Sequence, residues 1–459
     1  MRRNVVIAIV GVVVVIVGIG VWALLAGRDT TSGRIEPGTD TFRGQALAPP
    51  PTVDPHLEPV TVPELTVSDT AKLTPALTAE LWQPLAQAGN EFGWNTWGYV
   101  IDETSGEVLL NVGGDTGHTP ASTTKILTGL VSLAALDSSA TLQTGTSWDG
   151  TSLYLWGEGD LLLAANESSG TADGYASLTE LAADTAADLT AQGVTSVPLH
   201  YQTTIFSGQL RNPIWEEQDV SLHAGDLAPF AINAGQAPNG WGYVPSSTLS
   251  VAQVFAQHLN ENGIAVTEIS PGTDADAPVL ATVDSAPLSQ QLAVMLRRSD
   301  NTLAEQYCHM AAGASGVDTT FAGSTANLNQ QLQNLGLDTS GSTLTDCSGL
   351  NMYSRITPKL LVEALQISAE NPETAALLRY LPRAGVSGTL AQRLEGEVAL
   401  GNVQAKTGLL GRATTLAGVV TTASGQHLIF AVGVDDVADN AAYLARPYLD
   451  DFVDRLANN

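Results

Sequence analysis

Residues 118–130 read HTPASTTKILTGL, and the fold turns on whether Ser122 in that stretch is a nucleophile or merely the cap of a helix. Ser122 and Lys125 stand three positions apart at what reads as a helix start, so hydroxyl and amine share one face. A serine hydroxyl is a poor nucleophile until a base removes its proton. A lysine serves as that base only in its neutral form, which burial or neighbouring positive charge must favour. By itself the stretch reads more simply as a capped helix with an exposed lysine.

Two more stretches change that reading. In MLRRSDNTLAEQ, residues 295–306, Ser299, Asp300 and Asn301 precede an apolar helical run, where each alone is an ordinary capping residue. In GNVQAKTGLLGRATTLAG, residues 401–418, Lys406, Thr407 and Gly408 fall within a strand pattern, where an edge lysine and a glycine bulge would serve as well. Lysine occurs only at Lys72, Lys125, Lys359 and Lys406, and two of these occupy the motifs. SxxK, SDN and KTG in that order form a joint signature of the penicillin-binding proteins and serine β-lactamases.

More narrowly, the chain resembles the low-molecular-mass D-alanyl-D-alanine carboxypeptidase/endopeptidase family typified by penicillin-binding protein 4, the S13 peptidases. The stretches that carry the resemblance are WGEGDLLL (156–163), RRSDNTLAEQ (297–306), TDCSGLNMYSRITP (345–358), LPRAGVSGTLAQRL (381–394) and AKTGLLGRATTLAG (405–418). It implies an α+β, penicillin-binding transpeptidase-like fold, in which an antiparallel sheet with helices carries an inserted domain. It also implies a serine D-Ala-D-Ala carboxypeptidase or DD-endopeptidase acting on peptidoglycan stem peptides, with β-lactam antibiotics as acylating inhibitors.

By the same resemblance Ser122 attacks the D-Ala carbonyl and Lys125 accepts its proton. Ser299 relays a proton to the leaving amine, and Asn301 orients the substrate amide and Lys125. Lys406 and Thr407 hold the substrate carboxylate, and their positive potential lowers the Lys125 pKa. Gly408 lets substrate lie close to the strand, and the backbone N–H groups of Ser122 and Leu409 meet the oxyanion. Asp300 is assigned a structural role. The chain departs from the family at Leu409, where a second hydroxyl residue is usual, and at Cys347, which replaces a glycine. The interval from SxxK to SDN is shorter than in the typical member, so one insertion or two trimmed ones are expected.

Cys308 and Cys347 are the only cysteines; in an exported chain an even count permits one disulfide, and two buried free thiols are the alternative. A bridge between them would brace the surroundings of the motifs. His56, His118, His200, His223, His258, His309 and His427 are scattered without metal-ligand spacing, so neither metal nor cofactor is expected. A formal charge of −28 argues against nucleic acid as a partner, because phosphate binding relies on Lys and Arg.

Outward from the motifs, the chain divides by composition. Residues 1–4 are a short basic tail on the cytoplasmic side, and the uncharged run Val5 to Ala26 is long enough to cross about 30 Å of hydrocarbon. It reads as a transmembrane anchor, with a cleaved signal peptide as the alternative, and either way the bulk of the chain lies outside the cytoplasm. Residues 27–75 are a linker rich in Pro and Thr. A hairpin centred on Ser105-Gly106, a second across Ala423–Gln426 and an amphipathic terminal helix place sheet-forming segments at both ends. They predict one α+β domain from 76–145 and 281–459, with 146–280 as an inserted α/β domain.

Two other functions share parts of this pattern. A β-lactamase has the same motif order, but the long interval between Ser122 and Ser299 and the absence of a Glu-x-x-x-Asn loop for a deacylating water count against it. A non-catalytic peptidoglycan-binding scaffold on the same fold is favoured only by Leu409, since Ser122, Lys125, Ser299, Asn301 and Lys406 are all present.

Overall fold

The computed structural model describes residues 65, 67, 68 and 70–459. The expected tail, anchor and most of the linker lie outside the described residues. Among the described residues no helix is long and apolar enough to cross a membrane.

The first sheet is built from the two ends of the chain. Strands β1 (Asn95–Asp102) and β2 (Val108–Val112) form the expected hairpin, whose turn uses Gly106 at φ 72°. The Asp102 carboxylate accepts the Ser105 backbone N–H at 2.7 Å and closes it. β10 (Val403–Leu410), β11 (Ala413–Thr421) and β12 (His427–Asp435) supply the rest, in the order β10-β11-β12-β1-β2. β1 pairs antiparallel with β12 from Asn95↔Asp435 to Asp102↔Leu428, so strands far apart in sequence are neighbours, as expected.

Both faces of this sheet are covered, which is why its central strands are apolar without a polar alternation. Helix α1 (Pro75–Phe92) and the terminal helix α9 (Arg446–Ala457) lie on one face, where Trp82 meets Phe452 edge-on at 5.1 Å between centroids. α1 begins with Thr74 accepting Leu77 N–H and Pro75 in the first turn, and ends at Gly93 in the left-handed region. On the other face Trp97, Tyr99 and Ile101 of β1 join Ile126, Leu127 and Leu130 of α2 (Thr124–Ala135) in one buried cluster. α5 (Leu288–Arg298), α6 (Asn301–Ala314), α7 (Phe321–Asn334) and α8 (Pro358–Glu370) complete that side.

A second, mixed sheet has five strands. β3 (Gln143–Trp148) lies antiparallel between β4 (Leu153–Gly157) and β9 (Val279–Asp284). β6 (Ser196–Tyr201) runs parallel to both β4 and β8 (Ala265–Pro271), and parallel neighbours need crossovers. α3 (Leu178–Ala191) and α4 (Ser247–Glu261) provide them, each started by a serine cap, Ser177 and Ser246. Between these elements β5 (Asp160–Leu163) pairs with β7 (Phe230–Ile232).

Candidate active site

Ser122 is not a helix cap. It sits in a 3-10 turn, Ala121–Thr123, that leads into α2, and no side chain caps either element. Ala121 holds φ 47°, a left-handed conformation that costs a non-glycine residue about 1–3 kcal/mol. Two glycines press against this turn and keep it there. A Cβ on Gly408 would lie 2.9 Å from Pro120 O, and one on Gly349 would lie 2.7 Å from the Ala121 carbonyl carbon. Thr415 of β11 also donates to Pro120 O at 2.8 Å.

One turn along, Lys125 is fully buried. Its Nζ donates to Ser122 Oγ at 3.0 Å, to Asn301 Oδ1 at 2.6 Å and to Ser348 O at 2.7 Å. Burial pulls its pKa down to about 8, against the opposing pull of Asp346, Asp300 and Glu305. Of the two expected causes, burial and a neighbouring cation, desolvation is the one that lowers it, because a buried ammonium has lost its water.

The SDN motif straddles two helices. Ser299 closes α5 at φ 59°, and its Oγ accepts from Lys406 Nζ at 2.7 Å. Asp300 caps α6, accepting Leu303 N–H at 2.9 Å. Asn301 opens the same helix and is tethered at both ends of its amide, with Nδ2 donating to His223 O at 2.8 Å. Ser299 and Asn301 therefore reach Lys406 and Lys125 respectively, while the Asp300 carboxylate turns back to its own helix.

Lys406 lies in β10, the edge strand, and is fully buried. Its pKa is held well below the ordinary lysine range, first by burial and then by repulsion from Lys125 and Arg393. Besides Ser299, its Nζ reaches Thr407 O at 2.7 Å, and Thr407 Oγ1 lies 2.8 Å from Thr389 Oγ1. Ala405 N–H points away from β11, donating to Pro382 O at 2.9 Å. By strand alternation Thr407 and Leu409 aim their N–H groups to the same outer edge. The half-buried Leu409 side chain packs against the core shared with α9.

Several partners of these residues escaped the sequence reading. Asp346 is a buried hub that accepts Gly349 N–H at 2.8 Å, Asn351 N–H at 2.7 Å and Trp215 Nε1–H at 3.3 Å. Glu305, also buried, accepts the N–H groups of Cys347 at 3.1 Å and Ser348 at 2.8 Å. The disulfide that the cysteine count permits, rather than two free thiols, joins Cys308 to Cys347, with 6.2 Å between Cα atoms. The signal for Glu305 was its spacing, four residues after Asn301 and three before Cys308. His223 and Ser348 act through backbone carbonyls and leave no mark in the sequence. Among the described residues no cluster of His, Cys, Asp or Glu is arranged to hold a metal ion.

A serine hydroxyl, a lysine of depressed pKa 3.0 Å from it and a second buried lysine on an edge strand are groups that can together carry acyl transfer. The chain matches the model of the D-Ala-D-Ala carboxypeptidase 3 (S13) family over residues 77–240 and 241–456. It is 31% identical over 454 residues to carboxypeptidase DacB of Mycolicibacterium smegmatis, covering 95% of each chain. To a carboxypeptidase of Mycobacterium tuberculosis it is 31% identical over 442 residues, covering 93% of this chain and 94% of that one. Penicillin binding protein 4 of Haemophilus influenzae shares the fold, with a TM-score of 0.66 at 19% identity over 83% of this chain and 98% of the other.

Proposed function

We propose, on the premise that the chain belongs to the D-Ala-D-Ala carboxypeptidase 3 (S13) family, that it is a serine D-Ala-D-Ala carboxypeptidase/DD-endopeptidase of peptidoglycan stem peptides that works through an acyl-enzyme. The observation that carries the reading is Lys125 Nζ, buried and 3.0 Å from Ser122 Oγ, with a pKa near 8. At that pKa an appreciable fraction of the amine is neutral near neutral pH and able to take a proton.

Ser122 Oγ attacks the carbonyl carbon of the penultimate D-Ala while its proton passes to Lys125 Nζ. The oxyanion is met by the N–H groups of Ser122 and Leu409, the latter on the outer edge of β10. The C–N bond then breaks as the proton taken up by Lys125 passes through Ser299 to the leaving amine, with Lys406 Nζ holding Ser299 Oγ at 2.7 Å, and Lys125 is left neutral again to act on the deacylating water. Water cleaves the remaining ester and frees Ser122. Lys406 and Thr407 bind the terminal carboxylate, and an anion beside Lys406 favours its protonated form. Asn301 holds Lys125 and the substrate amide. β-lactams occupy the same site and acylate Ser122.

The run Val5 to Ala26 anchors the chain in the membrane, with the catalytic part outside the cytoplasm. A disulfide suits that oxidising side. The linker acts as the spacer up to the point where Leu73 is buried in the domain core and Pro75 opens α1, and the second sheet is carried as an insertion within the peptidase domain. Intact-mass analysis after incubation with penicillin tests the catalytic reading. A lasting adduct on wild type and none on Ser122→Ala supports it; free hydrolysed penicillin without an adduct indicates a β-lactamase, and no reaction indicates a scaffold.

A further inference from the structure

We propose that Glu305 is a positioning residue for Lys125: its carboxyl group holds the Cys347 and Ser348 amides, and thereby fixes the Ser348 carbonyl that accepts from Lys125 Nζ. The inference rests on Lys125 being the base for Ser122. Asn301, Glu305 and Cys308 lie four and then three residues apart on α6 and share one face. Asn301 Oδ1 receives Lys125 Nζ directly at 2.6 Å. Glu305 Oε1 receives two consecutive N–H groups, and Cys308 is bonded to Cys347 in the same turn. Two of the three acceptors around Lys125 Nζ, Asn301 Oδ1 and Ser348 O, are therefore set by this one helical face. α2 adds a further tie to the turn, Thr128 Oγ1 donating to Cys347 O at 2.6 Å.

Glu305 performs this role as the neutral acid. Its second oxygen, Oε2, is buried with no hydrogen-bond partner, and an unpaired buried charge there would cost several kcal/mol. Asp346, by contrast, has donors on both oxygens. Burial and the neighbouring Asp346 push the Glu305 pKa up to about 8. The other titratable groups around it are Lys125 from α2 and His309, one turn further along, whose Nδ1 bonds Glu305 O at 2.7 Å. Burial holds His309 neutral, with a pKa near 4. A proton on Glu305 spares Lys125 one more negative neighbour, which would otherwise raise its pKa and weaken it as a base.

The test is the pH dependence of Ser122 acylation by penicillin in the full chain, for wild type, Glu305→Gln and Glu305→Leu. Glu305→Gln keeps an acceptor and no charge, so its rate stays within about threefold of wild type and its acid limb within about half a pH unit. Glu305→Leu cannot receive the two amides, and acylation slows by about thirtyfold or more as Ser348 O moves off Lys125. If Glu305→Leu does not fold, Glu305→Asp, which draws the carboxyl back by one methylene, takes its place with a loss of about tenfold or more. Wild-type rates in Glu305→Leu, or in its Asp replacement, overturn the inference. So does a Glu305→Gln acid limb displaced to lower pH, which would mean that an ionised carboxylate had been removed, or a Glu305→Gln rate beyond the threefold window. A wild-type chain that takes no penicillin sinks the proposed function and this inference with it.

Discussion

Asn301 Oδ1 lies 2.6 Å from Lys125 Nζ while the other end of its amide is fixed on His223 O at 2.8 Å. A neutral acceptor at this point holds the lysine without adding charge, which matters because Asp346 and Asp300 already pull its pKa upward. Asn301→Asp would place a carboxylate against the ammonium and raise the Lys125 pKa by about one unit or more. The acid limb of acylation then moves to higher pH and the rate at neutral pH falls about tenfold. Stopped-flow acylation across pH measures both.

In the wild type the rate follows the neutral fraction of Lys125. Its pKa is depressed, so the amine is protonated and inactive below the folded value and neutral above it. Acylation therefore rises through pH 8 and levels above it. A limb near the ordinary lysine value would show that burial does not control this base.

Lys125→Arg retains charge and reach but leaves no neutral base, since a guanidinium keeps its proton throughout the accessible range. Acylation drops about 10³-fold, within the span that general-base catalysis contributes. The measurement is the rate of penicillin adduct formation, with the melting temperature recorded to separate lost chemistry from lost fold.

Leu409→Pro deletes the proposed oxyanion donor at an outer-edge position, where a missing N–H breaks no ladder bond. The expected loss in acylation rate is about 10²-fold or more. Leu409→Ala, which keeps the N–H, stays close to wild type. Equal rates in the Pro and Ala variants would remove Leu409 from the oxyanion site.

The Cys308–Cys347 bridge closes a loop with a sequence separation of 39. Replacing both cysteines by alanine costs about 4 kcal/mol of stability on the chain-entropy account. Denaturant unfolding measures the loss. Acylation slows as well, because Cys347 belongs to the turn that presents Ser348 O to Lys125.

What the sequence determined by itself was local or patterned. The hairpin about Gly106 follows from a turn that needs a left-handed residue, and the apolar strands at the two ends follow from burial on both faces. The three motifs were legible because scarce lysines recur in a fixed order with serines and an asparagine. Tertiary structure decided how far each group is from its ordinary chemistry. The pKa of Lys125 is set by loss of water and by carboxylates from α6 and the 346–351 turn, which are remote in sequence and meet only when the sheet and helices close. Ser348 O and His223 O are backbone groups, carried by every residue type alike. Only packing determines where such groups point, so no reading of side chains could have placed them.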